Sequence, residues 1–396
     1  MKSLFRSLKD GVRELVRPGG RARHYLPASM SVEAFFRELA SRNVRYVVLR
    51  WFETLPDVAH GEDIDLLVAD DDLEKLEDLF VSSRSGRACD VYSVTGLPGS
   101  DFRKMAYYPP HLSEAVLANA VLLRGLYRVP QPADHFLSLA YHALYHKGYR
   151  SGLASATAPP GATDKPPDHD YGAVLGALAK DLGLSVATDM ESLDAHLASQ
   201  GWRPPIDMLA RLALRNPWIH DRFFSKELSV EPRYRGIAVF LLRERALRSE
   251  RAGQVEDQLA KEGFEILESA SLGEQRRKES SLRLRGGNWG RGPWPVSGGL
   301  PARLIVAWDP RPSAVDSRTR AKYPLLSNGR ILRAKERIRD LLMQDVPRGE
   351  QFNPLHSSDN DVQSWEYLEI LAPDRVSGLR EAVAARNAGI ARKGEA

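Results

Sequence analysis

Apolar positions along this chain recur at helical spacing in some stretches and cluster into short β-rich runs in others, and the alternation outlines its elements. Val32, Phe35, Phe36 and Leu39 follow the i, i+3, i+4, i+7 pattern of an amphipathic helix. Tyr46-Val47-Val48-Leu49 then reads as a strand, residues 50–62 as a polar loop, and Ile64-Asp65-Leu66-Leu67-Val68 as a second strand. Residues 72–80 are expected to be helical, and Cys89-Asp90-Val91-Tyr92 forms a third strand. From about 112 to 150 the spacing is helical throughout, with Phe136, Leu137, Leu139, Ala140 and Leu144 on one apolar face. Residues 151–170 are rich in Gly, Ser, Ala and Pro, offer almost nothing to bury, and read as a flexible loop. Two or three helices follow over 171–226. A second α/β pattern begins near Tyr234, with strand 236–242, helix 252–262, strands 264–268 and 303–308, and helices at about 334–344 and 361–370. The Ala/Arg-rich tail from Arg380 is expected to fray.

This pattern predicts a multidomain α/β (α+β) protein. The divisions are a basic amphipathic segment 1–30, a domain 31–130, a helical region 131–231, a domain 232–375 and a tail 376–396. A length of 396 residues suits two or three separate cores. The 56 Lys plus Arg against 52 Asp plus Glu leave a formal charge of +4, too weak for a dedicated nucleic-acid binder. A lone cysteine, Cys89, excludes an internal disulfide and any multi-cysteine metal site, and fits a reducing compartment. No apolar run approaches the roughly 18 to 20 residues that span a bilayer, so a cytoplasmic location is expected. In the first twenty residues Leu4, Phe5, Leu8, Val12, Leu15 and Val16 line one helical face among Lys2, Arg6, Lys9, Arg13 and Arg17. Residues 1–17 are therefore either a helix lying peripherally on the anionic inner membrane face or a terminal helix packed on the protein body.

Asp63 and Asp65 stand two apart, and alternation on a strand puts both carboxylates on one side. Two like charges so placed call for a cation, and hard oxygen ligands suit Mg²⁺ held together with substrate phosphates. Phosphoryl or nucleotidyl transfer uses a further carboxylate nearby, for which Asp90 on the next strand is the candidate. The string Tyr46-Val47-Val48-Leu49-Arg50, a loop, and Gly61-Glu62-Asp63-Ile64-Asp65-Leu66-Leu67-Val68 resembles the signature of the DNA polymerase β-like nucleotidyltransferase superfamily over about residues 31–130. It is most similar to the branch found in bacterial surface-polysaccharide loci. The resemblance implies Asp63, Asp65 and Asp90 as a metal-binding triad, with Asp90 also serving catalysis; a retained but inactive fold is the alternative. Where the superfamily has Gly-Ser, this chain has Arg50-Trp51, and Arg50 is the expected substitute contact to the nucleotide phosphates. His142 and His146 are one helical turn apart, either sharing a metal or pairing at an interface, and Lys147 lies where relatives reach a triphosphate.

The second candidate centre is Asn353-Pro354-Leu355-His356-Ser357-Ser358-Asp359-Asn360, followed by a helix with Glu366 and Glu369. A histidine can carry a phosphoryl group on a ring nitrogen when its neighbours fix its tautomer and hold phosphates. Over about 232–372 the order of pieces resembles the nucleoside diphosphate kinase family, whose domain is ferredoxin-like: Arg235-Gly236-Ile237-Ala238-Val239-Phe240, then Gln254 to Leu267, then Arg337-Ile338-Arg339-Asp340, then Asn353-x-x-His356-x-Ser358-Asp359. The resemblance implies His356 as the phosphorylated nucleophile, Arg339 and Asn353 as phosphate or sugar contacts, and Ser358 with Glu366 or Glu369 as orienters of the imidazole. The family's Lys-Pro-Asp is missing and Arg243 stands near its place. The Gly- and Trp-rich stretch 285–294 lacks the Gly-Lys-Ser/Thr end of a Walker motif and reads as an inserted surface loop.

Together these readings predict a bifunctional phosphate-transfer enzyme using Mg²⁺ and ATP or another NTP on a small-molecule acceptor, without nucleic acid. Kinases of the resembled family form oligomers, so homo-oligomerisation is expected unless the fused domains cover those surfaces. Competing readings are that one domain alone is catalytic and the other a nucleotide-binding regulator, or that the chain is a non-catalytic interaction protein at a membrane surface.

Overall fold

The computed structural model describes residues 22–82, 86–161, 166–226 and 228–394, so the basic amphipathic segment expected over residues 1–17 lies outside the described residues. The described chain divides into two compact units, one running to Pro204 and including Arg211–Arg222, the other comprising Pro205–Ala210 and the residues from Phe223 onward. Among the described residues no helix is long and apolar enough to cross a membrane.

In the first unit, strands β1 (Arg23–Tyr25), β2 (Tyr46–Val48), β3 (Ile64–Val68) and β4 (Ala88–Ser93) form one sheet in the order β1-β4-β3-β2. β3 and β4 are parallel, and the outer strands are antiparallel to their neighbours. A parallel pair needs a crossover, and it includes Asp70–Leu79, wound as 3-10 turns where an ordinary helix was expected. Side chains alternate, so Tyr46, Val48, Ile64, Leu66, Val68, Cys89 and Val91 bury against Phe35, Phe36 and Leu39 of helix α1 (Val32–Ser41). Ser31 starts that helix by accepting the Ala34 amide. Cys89 is thus a core residue, and Asp65 and Asp90 turn to the other face.

The helical stretch expected over 112–150 is broken by a hairpin. Helix α2 (Pro110–Ala118) leads into β5 (Val121–Leu123) and β6 (Tyr127–Val129), joined through Arg124 and Gly125, both at positive φ as a mirror-image β-turn requires. Helix α3 (Pro132–Tyr141) continues into a π-helical turn, His142–Lys147, and is followed by α4 (Tyr171–Asp181) and α5 (Met190–Ser199). These helices share the compact unit of the sheet, so no division falls at the expected 130/131 boundary. Nor is 1–30 merely a leading segment, because β1 pairs with β4. The described residues between Ser151 and Tyr171 form no helix or strand, yet they are tied down: Leu153 is buried, Tyr149 donates to the Thr157 carbonyl at 3.0 Å, and Ser155 donates to Glu191 at 2.6 Å.

In the second unit, β7 (Ile237–Arg243), β8 (Glu265–Ser271), β9 (Pro301–Trp308) and β10 (Leu355–Ser357) form an antiparallel sheet in the order β10-β7-β9-β8. Helix α6 (Val255–Lys261) links β7 to β8, α7 (Glu274–Arg283) lies between β8 and β9, and α8 (Gly329–Met343) precedes β10. Val255, Leu259, Ile331, Ala334, Ile338 and Leu342 cover one sheet face through Phe240, Leu242, Ile305 and Leu355. The other face, with Val239, Leu241, Leu304 and Val306, packs on α9 (Asp361–Leu371) and α10 (Val376–Gly394). The tail expected to fray from Arg380 is therefore helical to Gly394, held by Leu379 and Val383, which are buried in that core.

Candidate functional sites

The register of the first sheet lines up three polar residues on one face. Arg23 on β1 stands opposite Asp90 on β4, and Asp90 stands opposite Asp65 on β3, with Asp63 immediately before β3. Arg23 donates from Nε to Asp90 Oδ1 at 2.8 Å and from Nη2 to Asp90 Oδ2 at 3.1 Å, and it also donates to Asp63. Arg50 pairs with Asp65 at 2.8 Å and donates to the Tyr107 hydroxyl at 2.9 Å. The Tyr107 oxygen accepts that bond, so its own proton is free to go to His142 Nδ1, 2.6 Å away. Sheet, loop and π-turn thereby join in one buried chain, Asp65–Arg50–Tyr107–His142.

Burial pushes the Asp65 carboxyl up to about 7, with Asp63 and Asp90 adding to the rise and Arg50 opposing it. Asp63 is raised in the same way by burial and by Asp90. Asp65 is 3% exposed, and its Oδ1 has no hydrogen-bond partner. Hard carboxylate oxygens, one of them buried and unmatched, are the donor set that Mg²⁺ takes. Among the described residues, however, no three His, Cys, Asp or Glu side chains stand together as a ready-made metal cage. Two guanidinium groups occupy the carboxylates.

Arg50 is consequently not a free phosphate contact: its fork is spent on Asp65 and Tyr107, with only 10% of the side chain exposed. Lys147 is paired with Asp168. His142 and His146 are brought together in a buried aromatic cluster, His146 against Tyr107, Tyr108 and Tyr141 and His142 against Tyr107 and Tyr171. Their rings cross at 85° with centroids 5.6 Å apart, and His142 Nδ1 is taken by Tyr107. Burial, reinforced by Arg50, lowers both well below the usual histidine range, so both rings are neutral.

In the second unit His356 lies on edge strand β10, on the sheet face that carries Leu241. Its Nε2 is 2.8 Å from the Tyr367 hydroxyl, and the Trp289 ring stands edge-on at 5.8 Å. Burial lowers its pKa well below the ordinary value, and the cations Arg285, Lys335, Arg339 and Arg243 lower it further. Lys335 is brought down to about 8 by burial. Arg339, as expected, is close by, donating to the Leu355 carbonyl at 3.3 Å. Asn353, three residues before His356, keeps a buried Oδ1 without a partner.

Four other assignments are corrected. Arg243 is 1% exposed and donates to the carbonyls of Trp289 and Gly299, so it braces the inserted loop and is not presented to a nucleotide. Ser358 does not orient the imidazole: its hydroxyl accepts the Val239 amide at 2.9 Å and a bond from Ser364 at 2.8 Å, stapling β7 to α9. Glu366 accepts the Ile206 amide at 3.2 Å, and burial raises its carboxyl to about 8. Glu369 pairs with Arg380 on the surface. The orienting side chain is Tyr367, which no sequence signal singled out. Arg23 was missed likewise, because its partners lie 67 and 40 residues away in sequence.

Comparison with family models, with curated proteins and with solved structures gives no match to this chain.

Proposed function

We propose that the first unit transfers a nucleotidyl group from an NTP to a hydroxyl or phosphate of a small molecule, with Mg²⁺ held by Asp63 and Asp65. The observation that carries this reading is the convergence of Asp63, Asp65 and Asp90 across neighbouring strands, with one buried carboxylate oxygen unmatched. When bound, the metal supplies charge neutralisation and polarisation of the α-phosphate. Asp90 takes the acceptor's proton as its oxygen attacks the α-phosphorus, and the bond to the departing pyrophosphate breaks. The fold of this unit, a short mixed sheet with the acids on two parallel strands, accords with a polymerase β-like nucleotidyltransferase.

A second reading concerns the other unit. Its strand-helix-strand-strand-helix-strand order and sheet order β10-β7-β9-β8 accord with a ferredoxin-like, nucleoside diphosphate kinase-like domain, despite the helix α7 inserted between β8 and β9. The bond from Tyr367 to Nε2 of His356 leaves Nδ1 as the nitrogen to be phosphorylated. The γ-phosphoryl group of an NTP would pass to that nitrogen with release of the NDP, and then to the small substrate or a diphosphate product. Covalent fusion raises the local concentration of a shared intermediate. A surface-polysaccharide or secondary-metabolite precursor is the acceptor class, by resemblance alone.

Incubation with α-³²P- and γ-³²P-labelled NTPs tests both steps. The α label should reach the acceptor and be lost in Asp65→Asn, and an acid-labile γ label should sit on the protein and be lost in His356→Ala. A chain that transfers neither label to any sugar or sugar-phosphate acceptor is the non-catalytic interaction protein.

A further inference from the structure

We infer that the carboxylate site of the first unit is built for one divalent cation, with Arg50 as a fixed second cation and Arg23 as an exchangeable plug in the metal's seat. This rests on the nucleotidyl-transfer reading and specifies its metal count.

The two arginines differ in what holds them. Arg50 is enclosed: 10% of its side chain is exposed, the Asp65 carboxylate it pairs with is 4% exposed, and the fully buried Tyr107 fixes another nitrogen. A guanidinium cannot shed its charge, and pulling it away would strand a buried carboxylate. Asp65 Oδ2 is therefore permanently occupied. Arg23 has 34% of its side chain exposed and sits on a three-residue edge strand. It makes three bonds to two acids, yet of the two arginines it is the one open to solvent, so its stem can swing into water when a divalent ion competes for the same oxygens.

Charge and ligand counts then agree. Asp63, Asp65 and Asp90 carry three negative charges when ionised; Arg50 neutralises one, leaving two for a single Mg²⁺. The oxygens left for that ion are those of Asp63 and Asp90, now on Arg23, and the unmatched Oδ1 of Asp65. A second divalent ion would leave the row with two positive charges in excess and would have to share the same three carboxylates.

Mn²⁺ serves as the probe, titrated into the full chain and followed by electron paramagnetic resonance and calorimetry. Wild type is expected to bind one Mn²⁺ per chain, Asp65→Asn to lose it, and Arg23→Ala to bind the same single ion at least about fivefold more tightly, since the ion no longer displaces the pairs of Arg23 with Asp63 and Asp90. Arg23→Lys, which keeps the charge and the strand, should bind close to wild type and guards against an effect of misfolding. Two ions per chain would overturn the inference and leave nucleotidyl transfer standing. Unchanged affinity in Arg23→Ala would overturn the plug. No Mn²⁺ in either wild type or Arg23→Ala would sink the metal-dependent reading itself, and the inference with it.

Discussion

Replacing Arg50 with Met would leave Asp65 buried without its counter-ion. The pair is 2.8 Å apart, and both side chains are at least nine-tenths buried. Breaking a buried pair from one side costs about 3–5 kcal/mol, against about 0–1 kcal/mol for an exposed one. Asp65→Asn breaks it from the other side at a similar cost, because Arg50 then keeps only the Tyr107 hydroxyl. The double variant removes both charges together and should lose far less than the sum, a coupling of about 3 kcal/mol. For a unit of this size each kcal/mol is worth about 2–4 °C, so each single variant should melt about 10 °C lower and the double variant much closer to wild type. The cost of Arg50→Met should also depend on pH in a definite direction. The Asp65 carboxyl, already up to about 7 through burial, rises further without Arg50. Its folded pKa then lies above the unfolded one by a wider margin, so the variant loses stability relative to wild type as pH rises from about 7 through the new value. Differential scanning calorimetry at pH 6 and pH 9 measures this. Additive losses in the double variant, or a cost that shrinks towards pH 9, would refute the pairing argument.

Further outcomes follow from the second unit and its neighbours. Tyr367→Phe removes the bond to His356 Nε2 and should spread phosphorylation over both ring nitrogens, read by ³¹P NMR of the phosphoprotein. Arg243→Met should cost about 2–4 kcal/mol in urea unfolding by orphaning the carbonyls of Trp289 and Gly299, while leaving nucleotide Kd by fluorescence titration unchanged. Leu379→Ala, in helix α10, should cost about 2–4 kcal/mol, and a stability unchanged in calorimetry would mean the tail does not pack. Gly148→Ala should be destabilising on two counts, since φ is +61° and a Cβ would stand 2.1 Å from Asn216 Oδ1; thermal melting checks it.

Strands dominated by apolar residues were legible from the sequence because burial largely defines them: Tyr46–Val48, Ile64–Val68 and Ile237–Arg243 need no knowledge of a partner. Alternation also oriented Asp65 correctly, since Ile64 and Leu66 had to face the core. What stayed hidden depends on pairing. β1 and β10 are three-residue edge strands with little apolar content, recognisable only beside β4 and β7. The counter-ions of the acids come from such a strand and from the loop after β2, so local sequence pointed to bare carboxylates where the fold supplies guanidinium groups. The imidazole's partner was missed by one helical step: a shift of about 100° separates Tyr367, which faces the sheet, from Glu366, which turns to the Ile206 amide. The tail misled through composition, because Ala and Arg dominate it, whereas Leu379 and Val383, four apart, bury its apolar face and Arg386 and Asn387 bond to Glu265 and to the Arg233 and Arg235 carbonyls.

The dipeptide Arg50-Trp51 carries a last consequence, because the two residues depart from the expected Gly-Ser in different ways. Arg50 changes the electrostatics, whereas Trp51 changes the side chain on a backbone that suits glycine: its φ is +55°. A bulky residue there pays about 1–2 kcal/mol, and something must offset it. The ring stacks on His169 with centroids 4.0 Å apart and meets Tyr171 edge-on at 5.7 Å, while His169 Nε2 lies 3.5 Å from Glu62 beside the carboxylate row. Stacking of this kind contributes about 0.5–1.5 kcal/mol beyond the area it buries, comparable with the strain. Trp51→Ala would keep the strain and lose the stack, whereas Trp51→Gly would lose both. The Gly variant should therefore be the more stable of the two by about 1 kcal/mol, the reverse of the order expected where φ is negative. Urea denaturation of the pair decides it. An Ala variant as stable as the Gly variant would mean that Trp51 relaxes out of the left-handed region once its ring is gone, and that the stack on His169 is what imposes that conformation.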